Sequence, residues 1–193
     1  MLVDHNTDAG PHFSYIEFGD YNTASMRNVN DMTWLPNTAG SYWGNSITGF
    51  KYGAHSNTSR FSTTAQSWGA QTARLSSGWY DIVGPTAQID AIRQSICAEA
   101  GIITNCNIGT TGQTEFACGA NKSLVPTLPS FFLEFGNYWF EVQPEDYIQL
   151  VSEGSSNCIL RLVADDDIGG VGTANTWNLG LAFMQGYYTV HQY

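Results

Sequence analysis

Two adjacent hydroxyl side chains, Ser76 and Ser77, precede Gly78 near the middle of the sequence. A serine nucleophile of the hydrolase type is usually presented by Gly-x-Ser-x-Gly on a sharp turn between a strand and a helix. Arg74 occupies the place of the first glycine in that pattern. The sequence therefore predicts no serine nucleophile at this position.

The histidines and the clustered acidic residues do not show the spacing of a catalytic or metal-binding motif. The four histidines, His5, His12, His55 and His191, are scattered and mostly near the termini, so none is an evident general base. Three adjacent carboxylates at residues 165–167 could hold Ca²⁺, but they lack the alternating spacing of a calcium loop. We predict a solvated acidic turn there, with no metal site and no cofactor.

The composition favours strands as the elements that position these groups. Only 12% of the 193 residues are charged and 13% are aromatic, with 20 glycines. Such a balance is typical of an all-β domain with many turns, and this length suits one domain with one core.

Hydrophobic patterning predicts where these elements lie. Ile89, Ile92 and Ile96 recur at helical spacing, so we predict a helix over residues 87–98 with Thr86 as its cap. Gly136 and Asn137 predict a tight hairpin between two strands. Strands are predicted at residues 15–18, 47–52, 131–135, 138–142, 147–151, 158–163 and 187–190, and an exposed hairpin or loop at 54–69.

The charge balance restricts the possible partners. Seven basic residues stand against 17 acidic ones, which gives a formal net charge of -10. This excess repels phosphate backbones and anionic lipids, so nucleic acid is not an expected partner. No apolar run approaches the roughly 20 residues of a membrane-spanning helix, so no membrane span is expected.

Cysteines and sequons favour a secretory route. Cys97, Cys106, Cys118 and Cys158 form an even set without zinc-ligand spacing, so disulfides are favoured over metal, with free core cysteines as the alternative. Two glycosylation sequons begin at Asn57 and Asn121, although an Asn- and Thr-rich chain also produces such triplets by chance. The N-terminus has no basic region followed by an apolar core, so we expect either a removed signal or a segment of a longer protein.

Several motifs in order resemble one known family. Residues 73–86 place a Ser-Ser-Gly sequence after Leu75 and before an Ile-x-Gly-Pro run, and a second motif comprises Trp177, Asn178, Leu179, Gly180 and Leu181. Together with the segments between them, they resemble the C-terminal lobe of pepsin-like aspartic proteases. The resemblance covers residues 14–193 and leaves 1–13 as an N-terminal extension. It implies a single all-β lobe, a barrel-like sandwich with one or two short helices, the second helix at residues 182–185.

The resemblance also implies that catalysis has been lost. Ser76 stands where the family has its catalytic Asp, and hydrolysis in that family needs two carboxylates that share a proton. We therefore predict no catalytic residue in the degenerate motif of Ser76, Ser77 and Gly78. The family's disulfide pairing maps onto Cys118 and Cys158, which leaves Cys97 and Cys106 to close a short local loop.

Four departures from the family pattern are candidates for a binding surface. Trp79 and Tyr80 replace small hydroxylic residues, Leu181 replaces an acid, and Asn178 replaces Ile. Aromatic residues dominate the centres of protein interfaces, so one interpretation is a former cleft rebuilt for contact. The other is that these side chains simply repack the core of the lobe.

A lone lobe leaves strand edges and apolar surface that a second lobe would cover. We therefore predict a secreted, non-catalytic domain that binds protein or self-associates, as a two-fold pair or a filament. One rival is the C-terminal half of a longer aspartic endopeptidase whose missing N-terminal lobe is the partner. A second rival is a carbohydrate- or peptide-binding module that uses exposed Trp34, Trp68 or Trp79.

Overall fold

The computed structural model describes residues 23, 32–38, 43–53, 66–99, 107–108, 113–119, 122–168, 175–187 and 189–191. Within these ranges most elements are strands, in keeping with the predicted all-β class. The strands are β1 (Gly44–Gly53), β2 (Gln66–Leu75), β3 (Ile82–Gly84), β4 (Asn107–Ile108), β5 (Thr114–Ala117), β6 (Ser130–Phe135), β7 (Tyr138–Val142), β8 (Ile148–Leu150), β9 (Asn157–Leu160), β10 (Leu162–Ala164) and β11 (Thr176–Leu179). The α-helices are α1 (Thr86–Glu99), α2 (Pro144–Tyr147) and α3 (Leu181–Met184), and short 3-10 helices cover Val125–Thr127 and Asp165–Ile168.

The strands form two sheets around one core. The seven-stranded sheet has the order β10-β3-β11-β2-β1-β6-β7, and the four-stranded sheet has the order β4-β5-β9-β8. Most neighbours are antiparallel, but β11 runs parallel to β2 and β10 runs parallel to β3. Barrel closure requires the two edge strands of a sheet to pair. In the described part of the chain β10 and β7 remain separate edges, so the larger sheet does not close into a barrel there.

The hairpin of β6 and β7 confirms the prediction made from Gly136 and Asn137. Phe135 pairs with Tyr138 across this two-residue turn, and Gly136 has a φ of 61°, which a side chain disfavours. On the other side of β6, the register of β1 shifts between Ile47 and Gly49. Gly49 is needed there because a Cβ would lie 2.6 Å from the carbonyl oxygen of Gln66.

Trp177 lies on β11, an interior strand of the larger sheet. Its side chain is fully buried, and its Nε1–H donates to Gln71 Oε1 at 2.6 Å. Its ring stacks on Trp68 at a centroid distance of 5.4 Å, and a Cβ at Gly84 would lie 2.6 Å from it. Trp68, an aromatic predicted to be available for a ligand, is therefore engaged in packing.

Helix α1 confirms the predicted helix within one residue at each end. Ile89, Ile92 and Ile96 are all fully buried, as their spacing predicted. Thr86 lies in the first turn rather than before it, and its hydroxyl donates to Asp166 Oδ2 at 2.7 Å. The predicted cap thus ties α1 to the acidic turn at residues 165–167 instead.

Three predicted strands need correction. Residue 147 belongs to α2 because Pro144 starts a helical turn in which the Asp146 carboxylate accepts from the Gln143 amide at 3.3 Å, so β8 begins at residue 148. The run 158–163 is divided into β9 and β10 at Arg161, where the chain passes from one sheet to the other. Residues 187, 189 and 190 lie in no strand.

Tyr187 gives the physical reason for the third correction. Its ring packs against Phe140 and Phe183, and its hydroxyl donates to the carbonyl oxygen of Glu141. Burial raises the pKa of this phenol, so it stays protonated as a donor. Side-chain packing, rather than pairing with another described strand, therefore holds the segment.

The Cys118–Cys158 disulfide is present, as the resemblance implied. Cys97 is also disulfide-bonded. Its predicted partner Cys106, the sequon residues Asn57 and Asn121, the strand at 15–18 and the boundary at residue 14 all lie outside the described residues, as do residues 54–65 of the predicted loop. Residues 66–69 of that loop belong to β2. No helix among the described residues is long and apolar enough to cross a membrane.

Candidate functional site

The degenerate motif lies where β2 ends beside β11. Leu75 and Leu179 are register partners in this parallel pair, and the Ser76 amide donates to the Leu179 carbonyl at 3.0 Å. The chain then turns through residues 76–81, which we call the 76–81 turn, and enters β3 on the other side of β11. This topology brings the two motifs found in the sequence into direct contact.

The 76–81 turn is joined to the start of α3 by three backbone hydrogen bonds. The amides of Gly180, Leu181 and Ala182 donate to the carbonyls of Asp81, Trp79 and Tyr80 at 3.2, 2.8 and 2.8 Å, respectively. These amides belong to the first turn of α3, which has no intrahelical acceptors for them.

Gly180 is required by this close approach. A Cβ at that position would lie 2.4 Å from the Asp81 carbonyl oxygen and 2.5 Å from the Trp79 carbonyl oxygen. Both obstacles are backbone atoms, which cannot rotate away as a side chain can.

The four predicted contact residues differ in exposure. Tyr80 is 64% exposed, whereas Trp79 and Leu181 are half-buried. Asn178 is only 6% exposed, so it lies inside the lobe and is removed from the candidate surface. Repacking of the core does not describe Tyr80, because most of its side chain faces solvent.

An ion pair connects Asp81 of the 76–81 turn to Arg161. Arg161 Nη1 lies 3.2 Å from Asp81 Oδ1, and both side chains are 17% exposed. Gln113 Nε2 donates to the same oxygen at 3.2 Å. The Arg161 guanidinium carbon also lies 5.5 Å from the centroid of the Tyr80 ring.

Residues 4–193 match a family model described as Eukaryotic aspartyl protease. The chain belongs to the eukaryotic aspartyl protease family. Sequence analysis reached the same family from the two motifs that the structure brings together. It did not find Gln113 and Arg161 as neighbours of the turn, because no local pattern links residues so far apart.

In this aspartyl protease family member, the 76–81 turn presents hydroxyls rather than a free acid. Ser76 supplies a neutral side chain at the end of β2, and the carboxylate of Asp81 is already held by Arg161 and Gln113. These two hydrogen bonds fix the orientation of the Asp81 carboxylate within the turn.

The histidines and possible metal ligands considered in the sequence are not part of this turn. His191 contacts Trp43 with ring centroids 4.8 Å apart, and its burial lowers the pKa of the imidazole. His5, His12 and His55 lie outside the described residues. Among the residues that are described, no three His, Cys, Asp or Glu side chains are grouped to hold a metal ion.

Proposed function

We propose that this member of the aspartyl protease family is non-catalytic and acts through protein contact, by binding another protein or by assembling with itself. The observation that carries this proposal is the neutral Ser76 at the end of β2, in the turn whose family counterpart bears a catalytic Asp. Acid catalysis in this family needs one shared proton between two carboxylates. A hydroxyl cannot replace one of them, because its proton is not released near neutral or acidic pH.

The side chains near Ser76 support a role in protein contact, which is the second part of the proposal. Tyr80 is largely exposed, with the half-buried Trp79 and Leu181 in the segments that meet beside it. Tyrosine and tryptophan provide large contact areas and are enriched where partners bind most strongly. A water-activating cleft gains nothing from these side chains, whereas a protein interface does.

An extracellular or secretory location is part of the proposal. It is supported by the Cys118–Cys158 disulfide and by Cys97, which is also disulfide-bonded. Such bonds persist in oxidising compartments and are rare in the cytosol.

Proteolysis at acidic pH tests the loss of catalysis. The purified chain is incubated with an unfolded protein substrate, with and without a pepstatin-type inhibitor, beside a Ser76→Ala variant. We expect no inhibitor-sensitive cleavage by either protein. Cleavage that pepstatin blocks and that Ser76→Ala lacks would overturn the proposal, since it would assign turnover to this chain and this turn.

Sedimentation velocity over a wide concentration range tests self-association. We expect species larger than one chain, and we expect Tyr80→Leu to raise the concentration of half-association by at least about fivefold, as the loss of an interface anchor does. Tyr138→Leu is the matched control, because Tyr138 is also exposed, at 51%, but lies on the β6–β7 hairpin. A native chain that remains monomeric at all concentrations would remove self-assembly from the proposal.

A further inference from the structure

Tyr80 is an exposed aromatic side chain, yet it is held in place. Its backbone carbonyl accepts a hydrogen bond from the Ala182 amide at 2.8 Å, and its ring lies over the Arg161 guanidinium. An ordinary surface tyrosine loses rotational freedom when a partner binds, and this loss weakens binding. A ring that is already ordered avoids much of that loss.

The backbone of Arg161 is held by hydrogen bonds at both its amide and its carbonyl. Its amide donates to the Tyr147 carbonyl at 2.6 Å, and its carbonyl accepts from the Ile82 amide at 2.9 Å. It occupies the single residue between β9 and β10, where the chain leaves the four-stranded sheet for the seven-stranded one. The start of its side chain is thereby determined by both sheets.

The guanidinium has two partners with different roles. Asp81 Oδ1 accepts from Arg161 Nη1 at 3.2 Å and is fixed in turn by the side-chain amide of Gln113. This contact holds the guanidinium beside the turn, where its central carbon lies over the ring of Tyr80 at 5.5 Å from the centroid. The planar, delocalised guanidinium suits this double contact better than the compact, strongly hydrated ammonium of a lysine.

We infer that Arg161 is a positioning residue for protein contact, which holds Tyr80 in the orientation that a partner recognises. This inference rests on the proposed function, since it assigns to Arg161 the ordering of the same surface. It extends the site to a residue that neither motif contains, and it makes the contact surface dependent on both sheets.

Side-chain NMR tests the contact itself, without reference to any partner. In ¹⁵N-labelled protein, at a concentration where the native chain sediments as its smallest species, the Arg161 Nε–H resonance is compared in native protein, Tyr80→Leu and Tyr138→Leu. We expect the ring of Tyr80 to shift this resonance, so that Tyr80→Leu moves it and Tyr138→Leu does not. An Arg161 resonance that is identical in all three proteins would overturn the inference.

The concentration of half-association tests the consequence. Arg161→Lys retains the charge but loses the planar fork, and we expect it to weaken self-association about two- to tenfold, the range of one ordered side chain. In the Tyr80→Leu background the same change is expected to have no further effect. Lys51→Arg is the control for the exchange of one basic side chain for another beside an aromatic ring, because Lys51 of β1 lies over Trp139 at 4.5 Å.

These outcomes separate the inference from the proposed function. A native chain that associates, with Arg161→Lys unchanged or with equal losses in both backgrounds, overturns the positioning role and leaves the proposed function in place. A native chain that never associates overturns self-assembly, and the NMR comparison then decides alone whether Arg161 orders Tyr80.

Discussion

Single side chains connect parts of this lobe that are distant in the sequence. Trp177 donates to Gln71 across 106 residues, and Arg161 pairs with Asp81 across 80 residues. Both contacts are polar and largely shielded from water, so their geometry is restricted more strongly than that of apolar neighbours. Such residues specify which strands meet, while the surrounding apolar groups supply most of the burial.

His191 gives the lobe a sensitivity to mild acid. Its pKa in the folded protein lies below the ordinary value of 6.5, because burial disfavours the imidazolium. The unfolded chain therefore binds more protons as the pH falls through about 6.5, and stability decreases. Above that pH the contribution is fully present. Since the side chain is exposed, solvent screens its charge and the effect is expected to be small.

We predict that His191→Phe reduces the fall in the thermal midpoint between pH 7 and pH 5. Phenylalanine retains an aromatic contact with Trp43 but has no proton to gain. The comparison of the two proteins at each pH isolates His191 from the carboxylates, which titrate in both. Equal pH dependence in both proteins would show that His191 does not contribute.

At the scale of elements, the seam between the 76–81 turn and α3 is the most constrained part of the site. Three amides of one segment meet three carbonyls of the other, and Gly180 permits the approach. By contrast, a Cβ at Gly78 would meet nothing within 4 Å. The two glycines of the site therefore differ in physical role, although both belong to recognisable motifs.

We predict that Gly180→Ala lowers the free energy of unfolding by about 1–3 kcal/mol, the usual effect of forcing a methyl group into packed structure. Gly78→Ala is the matched control, with an expected change within about 0.5 kcal/mol, because that position is open. Urea denaturation of the three proteins measures both effects. Equal losses in the two variants would contradict the close contact at Gly180.

The elements that sequence analysis predicted well are those specified by local signals. The spacing of Ile89, Ile92 and Ile96 identifies α1, and Gly136 with Asn137 identifies the hairpin. Alternation at residues 187–190 indicates the capacity to form a strand but not a partner, and Tyr187 is engaged in the core instead. The contact of Arg161 with the 76–81 turn could not be predicted from the sequence. It depends on the point at which the chain passes from one sheet to the other.

In the described part of the lobe, strands of the two sheets alternate in groups along the chain. Cys118 follows β5 and Cys158 lies in β9, both in the smaller sheet, and 40 residues separate them. Those residues include β6 and β7 of the larger sheet. The disulfide therefore closes a loop that passes through both halves of the lobe.

We predict that replacement of both Cys118 and Cys158 by alanine lowers the free energy of unfolding by about 3–4 kcal/mol, from the greater freedom of the unfolded chain. Urea denaturation under non-reducing conditions measures the change. Native protein treated with a mild reductant, with thiol labelling to show which bonds have opened, provides the comparison. A double variant as stable as native protein would contradict a stabilising role for this bond.

The insertion of β11 between β2 and β3 has a consequence for the order of assembly. β2 and β3 are synthesised before β11. The edge of each strand that pairs with β11 therefore stays unpaired until residues 176–179 have been synthesised. A nascent or truncated chain that stops before Thr176 cannot complete the middle of its larger sheet, and pairings this distant in sequence form slowly. During that interval the edges of β2 and β3 are open to other chains, so premature termination favours capture by chaperones or aggregation over a smaller folded product.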